Sequence, residues 1–155
     1  MGLLAGKAYD PATAVSKATT AALAMTALDT TNLRLAFTVP ANGSVMVRLQ
    51  GTLHGGTATP WHPQIMLGVL EGTTVRGRLV PAGLPNNVVG SATAFLTVEA
   101  LFLVTGLTPG AALTWDAAYG VEGIVAGSGL KYGGPNDATV NNAFGAFLFE
   151  VWTTA

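Results

Sequence analysis

The sequence predicts an all-β protein, an antiparallel jelly roll or β-sandwich of about eight strands with an extended N-terminal arm. Three observations lead to this prediction. Runs in which apolar and polar residues alternate recur after residue 30, turn sequences rich in Gly, Pro and Asn separate them at short spacing, and no strand–helix–strand alternation occurs. We assign residues 1–29 to the arm and residues 30–155 to the sandwich domain.

The arm is rich in Ala and Thr and is divided by Pro11. Its first dozen residues are predicted to be extended, either as an arm that docks on a neighbouring molecule or as a flexible leader. Residues 19–28 fit a short helix or the first strand, because Ala favours helix and Thr favours strand.

The first regular strands are predicted on either side of an Asn-Gly turn. Residues 33–39 alternate between apolar and polar side chains, and residues 45–50 do the same. Between them stands Pro40-Ala41-Asn42-Gly43, and Asn-Gly supplies the positive φ angles of a tight hairpin turn. The pattern therefore predicts a β-hairpin.

The remaining strands are predicted from the same alternation and from turn residues. A strand over 64–70 and a strand over 74–80 are joined by Glu71-Gly72. Two longer extended runs cover 91–105 and 113–125. Loops are predicted over 55–63, 81–87 and, as a long polar segment, 127–142.

The last strand, residues 143–153, is apolar on both faces. One face carries Phe144, Ala146, Leu148, Glu150 and Trp152, and the other carries Ala143, Gly145, Phe147, Phe149 and Val151. A strand that is apolar on both sides must be covered on both sides. The domain core is one cover, and we predict that another copy of the chain is the second.

Composition supports assembly and argues against several partners. Charged residues make up 10% of the chain, against about 25% in typical soluble proteins, which indicates that other subunits cover much of the surface. The net charge is −1 and no basic run occurs, so no nucleic-acid partner is predicted. No run approaches the roughly 20 apolar residues of a membrane span, so no membrane partner is predicted.

The segment Phe144-Gly145-Ala146-Phe147-Leu148 resembles the final strand of the trimeric jelly rolls of the tumour necrosis factor and complement globular-head class. The Pro-ended strand and following strand over residues 37–49 are similar to a hairpin of that class. The resemblance implies a homotrimer with the last strand near the threefold axis. The predicted trimer interface consists of Leu101, Leu103, Phe144, Phe147, Phe149 and Trp152.

The stretches TTNLRLAFTVPANGSVMVRLQG and GLKYGGPND resemble small virion proteins of tailed bacteriophages, either decoration or minor tail proteins. This resemblance implies location in the virion and a decoration protein that stabilises the shell by contacting the major capsid protein or other virion proteins. The alternative is a minor tail or fibre-tip protein that binds a host receptor or glycan through its loops. The predicted capsid-contacting arm residues are Leu3, Leu4, Tyr9 and Pro11.

The sequence offers little chemistry for catalysis, and we predict no enzyme, no cofactor and no metal. Two histidines flank the loop over 55–63, but a third metal ligand is missing nearby. Asp116 and Glu122 share a face by parity but lie too far apart for acid–base work. The candidate ligand-binding loops contain His54, Trp61, His62, Tyr132 and Asn136.

Arginines recur on the predicted strands. We expect Arg34, Arg48, Arg76 and Arg78 to pair with Glu71, Glu99, Glu122 or Glu150. Buried at a subunit interface, such pairs contribute register and specificity more than net stability.

Overall fold

The computed structural model of the chain describes residues 1–18, 23–54, 65–79, 95–121, 129–135 and 143–155. Within these residues the regular structure is entirely β, in two antiparallel sheets of six and five strands, which confirms the predicted sandwich. The strands are β1 (Leu3–Tyr9), β2 (Val15–Ala18), β3 (Met25–Ala27), β4 (Arg34–Thr38), β5 (Val45–His54), β6 (Ile65–Glu71), β7 (Thr74–Leu79), β8 (Phe95–Val104), β9 (Ala112–Val121), β10 (Gly129–Tyr132) and β11 (Phe147–Thr153).

Sheet A contains β1, β2, β5, β8, β10 and β11. Because β8 pairs with β5 along the whole of β5, β10 and β11 share the opposite edge of β5. β1 then lies outside β11, and β2 lies outside β10. The two ends of the chain are therefore neighbours in one sheet.

Sheet B contains β3, β4, β6, β7 and β9. β6 occupies one edge of β9, so β3 and β4 share the other edge, and β7 lies outside β6. Each sheet thus has four strand positions, and the order in which the chain visits them is that of a jelly roll.

The core between the sheets is built mainly from alternate residues of β4, β5, β6, β8, β9, β10 and β11. β4 buries Leu35 and Phe37 and exposes Arg34, Ala36 and Thr38, as its alternation predicts. On the opposite side of the core, in sheet A, Phe147 and Phe149 of β11 are fully buried. The Phe37 ring meets Trp115 edge-on, with ring centroids 4.8 Å apart.

The turn over residues 40–43 forms as predicted. Gly43 has a φ of 65°, and its N–H donates to the carbonyl oxygen of Pro40 at 3.0 Å. A Cβ at this position would lie 2.6 Å from the Leu107 carbonyl oxygen, so glycine is required on two grounds.

The hairpin predicted around this turn is wrong. β4 pairs with β9 in sheet B, whereas β5 belongs to sheet A, so the turn carries the chain across the sandwich. Both strands bury one face in the same core from opposite sides. Alternation looks the same in that arrangement as in a hairpin, because it reports which residues are buried and not which strand is the neighbour.

The turn predicted at Glu71-Gly72 is confirmed, and the two strands that it joins form a hairpin. β6 and β7 pair directly, with Gly72 in the turn at a φ of 60°. The extended run predicted over 91–105 contains β8, and the run predicted over 113–125 overlaps β9, which begins one residue earlier. The loops predicted over 55–63 and 81–87 lie outside the described residues.

The long polar loop predicted over 127–142 is wrong at residues 129–132, which form β10. Only four residues, Gly129–Tyr132, make this strand. Its alternation is too short to register as a pattern, and it is flanked by glycines. Pairing with β5 and β2 on its two edges stabilises it instead.

The N-terminal residues are extended as predicted, but they belong to the sandwich. β1 pairs with β11 from Leu3 opposite Trp152 to Tyr9 opposite Phe147. Leu4 and Tyr9 pack against the core, and the N–H of Gly134 donates to the Pro11 carbonyl oxygen at 2.8 Å. β3, within the segment that fitted helix or strand, is a strand paired with β9.

Candidate interaction surface

The outer face of sheet A is formed by the side chains of β5, β8 and β11 that point away from the core. In β5, Val45, Val47 and Leu49 are fully buried, so the residues between them point outward. The register of β8 and β11 against β5 places their outward residues in the same surface. The outer face of sheet A consists of Met46, Arg48, Gln50, Glu99, Leu101, Leu103, Leu148, Glu150 and Trp152.

One part of this face is apolar and exposed. Leu101 and Leu103 are 52% and 53% exposed. Beside them, a depression of about 470 Å³ is lined by Met1, Met46, Arg48, Leu101 and Trp152. Single exposed leucines are ordinary on protein surfaces, but large apolar side chains grouped around a depression mark an interaction site.

A charged network crosses the centre of the same face. Arg48 Nε donates to Glu99 Oε2 at 2.7 Å, and Arg48 Nη1 lies 3.5 Å from Glu150 Oε2. Trp152 Nε1 also donates to Glu150 Oε2, at 3.0 Å. The hydrogen bond to Glu99 raises the pKa of the Arg48 guanidinium. The network therefore holds the indole and both carboxylates in defined positions.

The residues predicted for the trimer interface separate into three groups. Leu101, Leu103 and Trp152 lie on the outer face of sheet A, where their contact with another copy stays a prediction. Phe147 and Phe149 are fully buried in the core of a single subunit, so their assignment to the interface is wrong. The register between β11 and β5 decides which face of β11 is the core.

Phe144, also predicted for the interface, lies apart from this face. It is half-buried before β11, and the Lys131 ammonium lies 5.1 Å from the centre of its ring. Both residues line a groove of about 430 Å³. The other lining residues are Ala12, Thr13, Ala14, Val15, Ser16 and Pro135.

The predicted ligand-binding loops are only partly described. Trp61, His62 and Asn136 lie outside the described residues, as does the side chain of His54. Tyr132 is 1% exposed, so its prediction as a surface contact is wrong. Its ring packs among those of Tyr9 and Phe147, with centroids 6.0 and 5.7 Å away.

Burial of Tyr132 has a consequence for stability at alkaline pH. Desolvation, with a smaller contribution from the charge of Asp29, raises the pKa of Tyr132 to about 12. Below pH 10 the hydroxyl is protonated in both folded and unfolded chains. Between pH 10 and about 12 only the unfolded chain releases the proton, so stability falls as the pH rises.

We expect wild type to lose about 2 kcal/mol relative to Tyr132→Phe between pH 10 and 12. Urea unfolding of both proteins across this range measures the difference, and the titration of other groups cancels in the comparison. Parallel pH profiles for the two proteins would contradict the assignment.

The predicted arginine pairs are confirmed in part. Arg48 pairs with Glu99 and Glu150, and Arg76 pairs with Glu71. Glu71 also accepts a hydrogen bond from Trp115 Nε1 at 2.9 Å, and the hydrogen bonds from Arg76 and Trp115 lower its pKa.

Arg34 pairs with an aspartate and not with a glutamate. Its guanidinium donates to both oxygens of the buried Asp116, at 2.7 and 2.9 Å. Glu122, which shares a face with Asp116 by sequence parity, lies outside the described residues. Asp116 is thus held in a bidentate ion pair between β4 and β9, a structural arrangement.

In the part of the chain that the structure describes, no group of three or more His, Asp or Glu side chains is placed to hold a metal ion. The same residues include no helix long and apolar enough to cross a membrane. No protein-family model, no curated protein and no solved structure matches the chain.

Proposed function

We propose that this chain is a structural subunit of a tailed-bacteriophage particle, a homotrimer that decorates and stabilises the capsid shell. The observation that supports assembly is the outer face of sheet A, where Leu101 and Leu103 are exposed beside Trp152 and Met46. In a chain with only 10% charged residues, another subunit is the natural cover for such a surface. The trimeric state and the virion location rest on the resemblances in sequence.

The N-terminal strand is the proposed contact with the shell. β1 is an edge strand of sheet A, paired with β11 on one side. Edge strands present unpaired backbone N–H and C=O groups to a partner. Leu3 is exposed on this strand and adds an apolar contact. Strand addition by a capsid protein at this edge is therefore the proposed mode of attachment.

Replacing both Leu101 and Leu103 with glutamate is expected to dissociate the trimer. Burial of two unpaired carboxylates in an apolar contact costs several kcal/mol, which weakens association by about 100-fold or more. Sedimentation velocity at micromolar concentration measures the change from trimer to monomer.

Thr38→Glu is the control, because Thr38 is exposed on β4, at the edge of sheet B that lies opposite to β7, and the added charge is far from the outer face of sheet A. This variant is expected to remain trimeric. A wild-type protein that sediments as a monomer would remove the proposal, and a trimeric double variant would exclude this surface as the contact.

The location in the particle separates decoration from the alternative, a minor tail protein that binds a receptor or glycan. The groove beside Lys131 and Phe144 supports the alternative, since it combines a cation, an aromatic ring and the hydroxyls of Thr13 and Ser16. Gold-labelled antibody on particles purified from the strain that encodes the chain distinguishes them. Label over the shell is expected, label at the tail tip would favour the alternative, and unlabelled particles would contradict both.

A further inference from the structure

β7 is an edge strand with exposed apolar and cationic side chains. Within the described residues it pairs only with β6. Val75 and Leu79 are 42% and 40% exposed. Val75 stands opposite Leu70, which places it on the outer face of sheet B, because Ile65, Leu67 and Val69 take the core side of β6.

The two arginines of β7 and Glu71 of β6 together carry a net charge of +1. Arg76 is paired with Glu71 at 3.1 Å. Arg78 donates to the backbone carbonyl oxygen of Leu23 at 3.1 Å, and the described residues give it no carboxylate partner. Its guanidinium therefore retains donors for an acidic group on another molecule.

The charged side chains on the outer face of sheet A have a net charge of the opposite sign. Arg48 contributes one positive charge, while Glu99 and Glu150 contribute two negative charges, which leaves one negative charge. The Glu99 side chain is 44% exposed and so accessible to a partner. Exposed leucines and an apolar depression border these carboxylates.

We propose that the outer face of sheet A receives β7 of a second copy of this chain, with Arg78 of that copy directed at Glu99. This inference rests on the proposed self-assembly and names the surface that each subunit contributes. Val75 meets the exposed leucines, while Leu79, which stands opposite the core residue Leu67, borders the contact from the other side of the β7 edge. The single excess charges have opposite sign. Complementary charges set the register of such a contact and disfavour the reverse pairing of like surfaces.

The contact is heterologous, because the two patches lie on different sheets of the same subunit. A heterologous contact leaves one patch free at each end of a pair, so it closes into a ring where the rotation between subunits allows closure and otherwise continues as an open filament. Three subunits related in this way form the proposed trimer. A face-to-face contact between two copies of sheet A would instead stop at a dimer.

Crosslinking of a two-cysteine variant tests this arrangement, since the chain has no native cysteine. The variant Met46→Cys/Val75→Cys carries one thiol on the outer face of each sheet. Packed sheets are about 10 Å apart with outward side chains further apart still, so a short bismaleimide cannot join the two thiols within one subunit. We expect covalent dimers and trimers on a denaturing gel.

The single variants Met46→Cys and Val75→Cys are the controls, and each is expected to remain monomeric on the gel. Covalent dimers from either single variant would overturn the proposal, because they require contact between like surfaces. Wild type and all three variants are compared by sedimentation and by thermal unfolding before crosslinking.

Failure of this inference is distinct from failure of the proposed function. If wild type and the double variant sediment as trimers but the double variant yields no covalent species, the β7 contact is wrong and self-assembly stands. If wild type sediments as a monomer, the proposed assembly and the contact derived from it both fail.

Discussion

Replacing Phe149 with alanine is expected to lower the free energy of unfolding by about 3–5 kcal/mol, because removal of a fully buried ring leaves a cavity. Phe149 is fully buried, and its strand is hydrogen-bonded to β1 on one edge and β5 on the other. These pairings restrict the movement by which the site would collapse. Urea unfolding is measured in the Leu101→Glu/Leu103→Glu background, which the proposed assembly predicts to be monomeric, so that subunit dissociation does not contribute.

Leu148→Ala is the control for this loss of stability. Leu148 is next to Phe149 in the same strand, but its side chain lies half-buried on the outer face of sheet A. We expect a loss of about 1 kcal/mol in the same background. Equal losses for the two variants would show that both faces of β11 are buried to the same extent within one subunit, and would contradict the assigned core face.

Alternation in the sequence was sufficient to predict the fold class. β8 and β9 lie where extended runs predict them, because each places one face in the core shared by the two sheets. β6 is buried at six successive positions and β7 at none, so the signal that predicted these two strands was the turn at Glu71-Gly72 between them. Alternation does not indicate which neighbouring strand a strand pairs with. The chain crosses from sheet B to sheet A at Gly43, and the local sequence there is equally compatible with a hairpin.

The candidate surface was predicted in part, and the reason lies in β11. Both of its faces are apolar, so the sequence indicates that two covers are needed without indicating which face meets the core. Pairing with β5 decides this, since Val47 and Leu49 lie opposite Val151 and Phe149. The outward residues Met46, Arg48 and Glu150 follow from the same register, and alternation in β5 was the available signal for the first two.

The error at Tyr132 has a related cause. In the sequence this tyrosine stands beside Gly133-Gly134-Pro135, which predicts a polar loop. In the structure β10 pairs with both β2 and β5, and this places the ring in the core. Contacts between segments distant in sequence override local turn chemistry here, and a single sequence carries little information about them.

Gly133→Ala is expected to destabilise the protein by about 2–5 kcal/mol, because two penalties combine. Gly133 has a φ of 78°, in the region that disfavours a side chain. A Cβ would also lie 2.5 Å from the carbonyl oxygen of Pro11 and 2.6 Å from its ring. Since backbone atoms cannot move aside easily, the segment that contains Pro11 must shift, and the hydrogen bond from Gly134 to Pro11 must lengthen.

Gly145→Ala separates the two penalties. Gly145 forms a β-bridge with Gly133 and has a φ of 76°, but a Cβ there would meet no atom within 4 Å. Its cost is therefore the conformational penalty alone, about 1–3 kcal/mol. Urea unfolding measures both variants, and limited proteolysis near Pro11 reports release of the N-terminal segment, which we expect only for Gly133→Ala. Equal losses, with residues 1–18 protected in both variants, would mean that contact with Gly133 does not hold this segment on the sandwich.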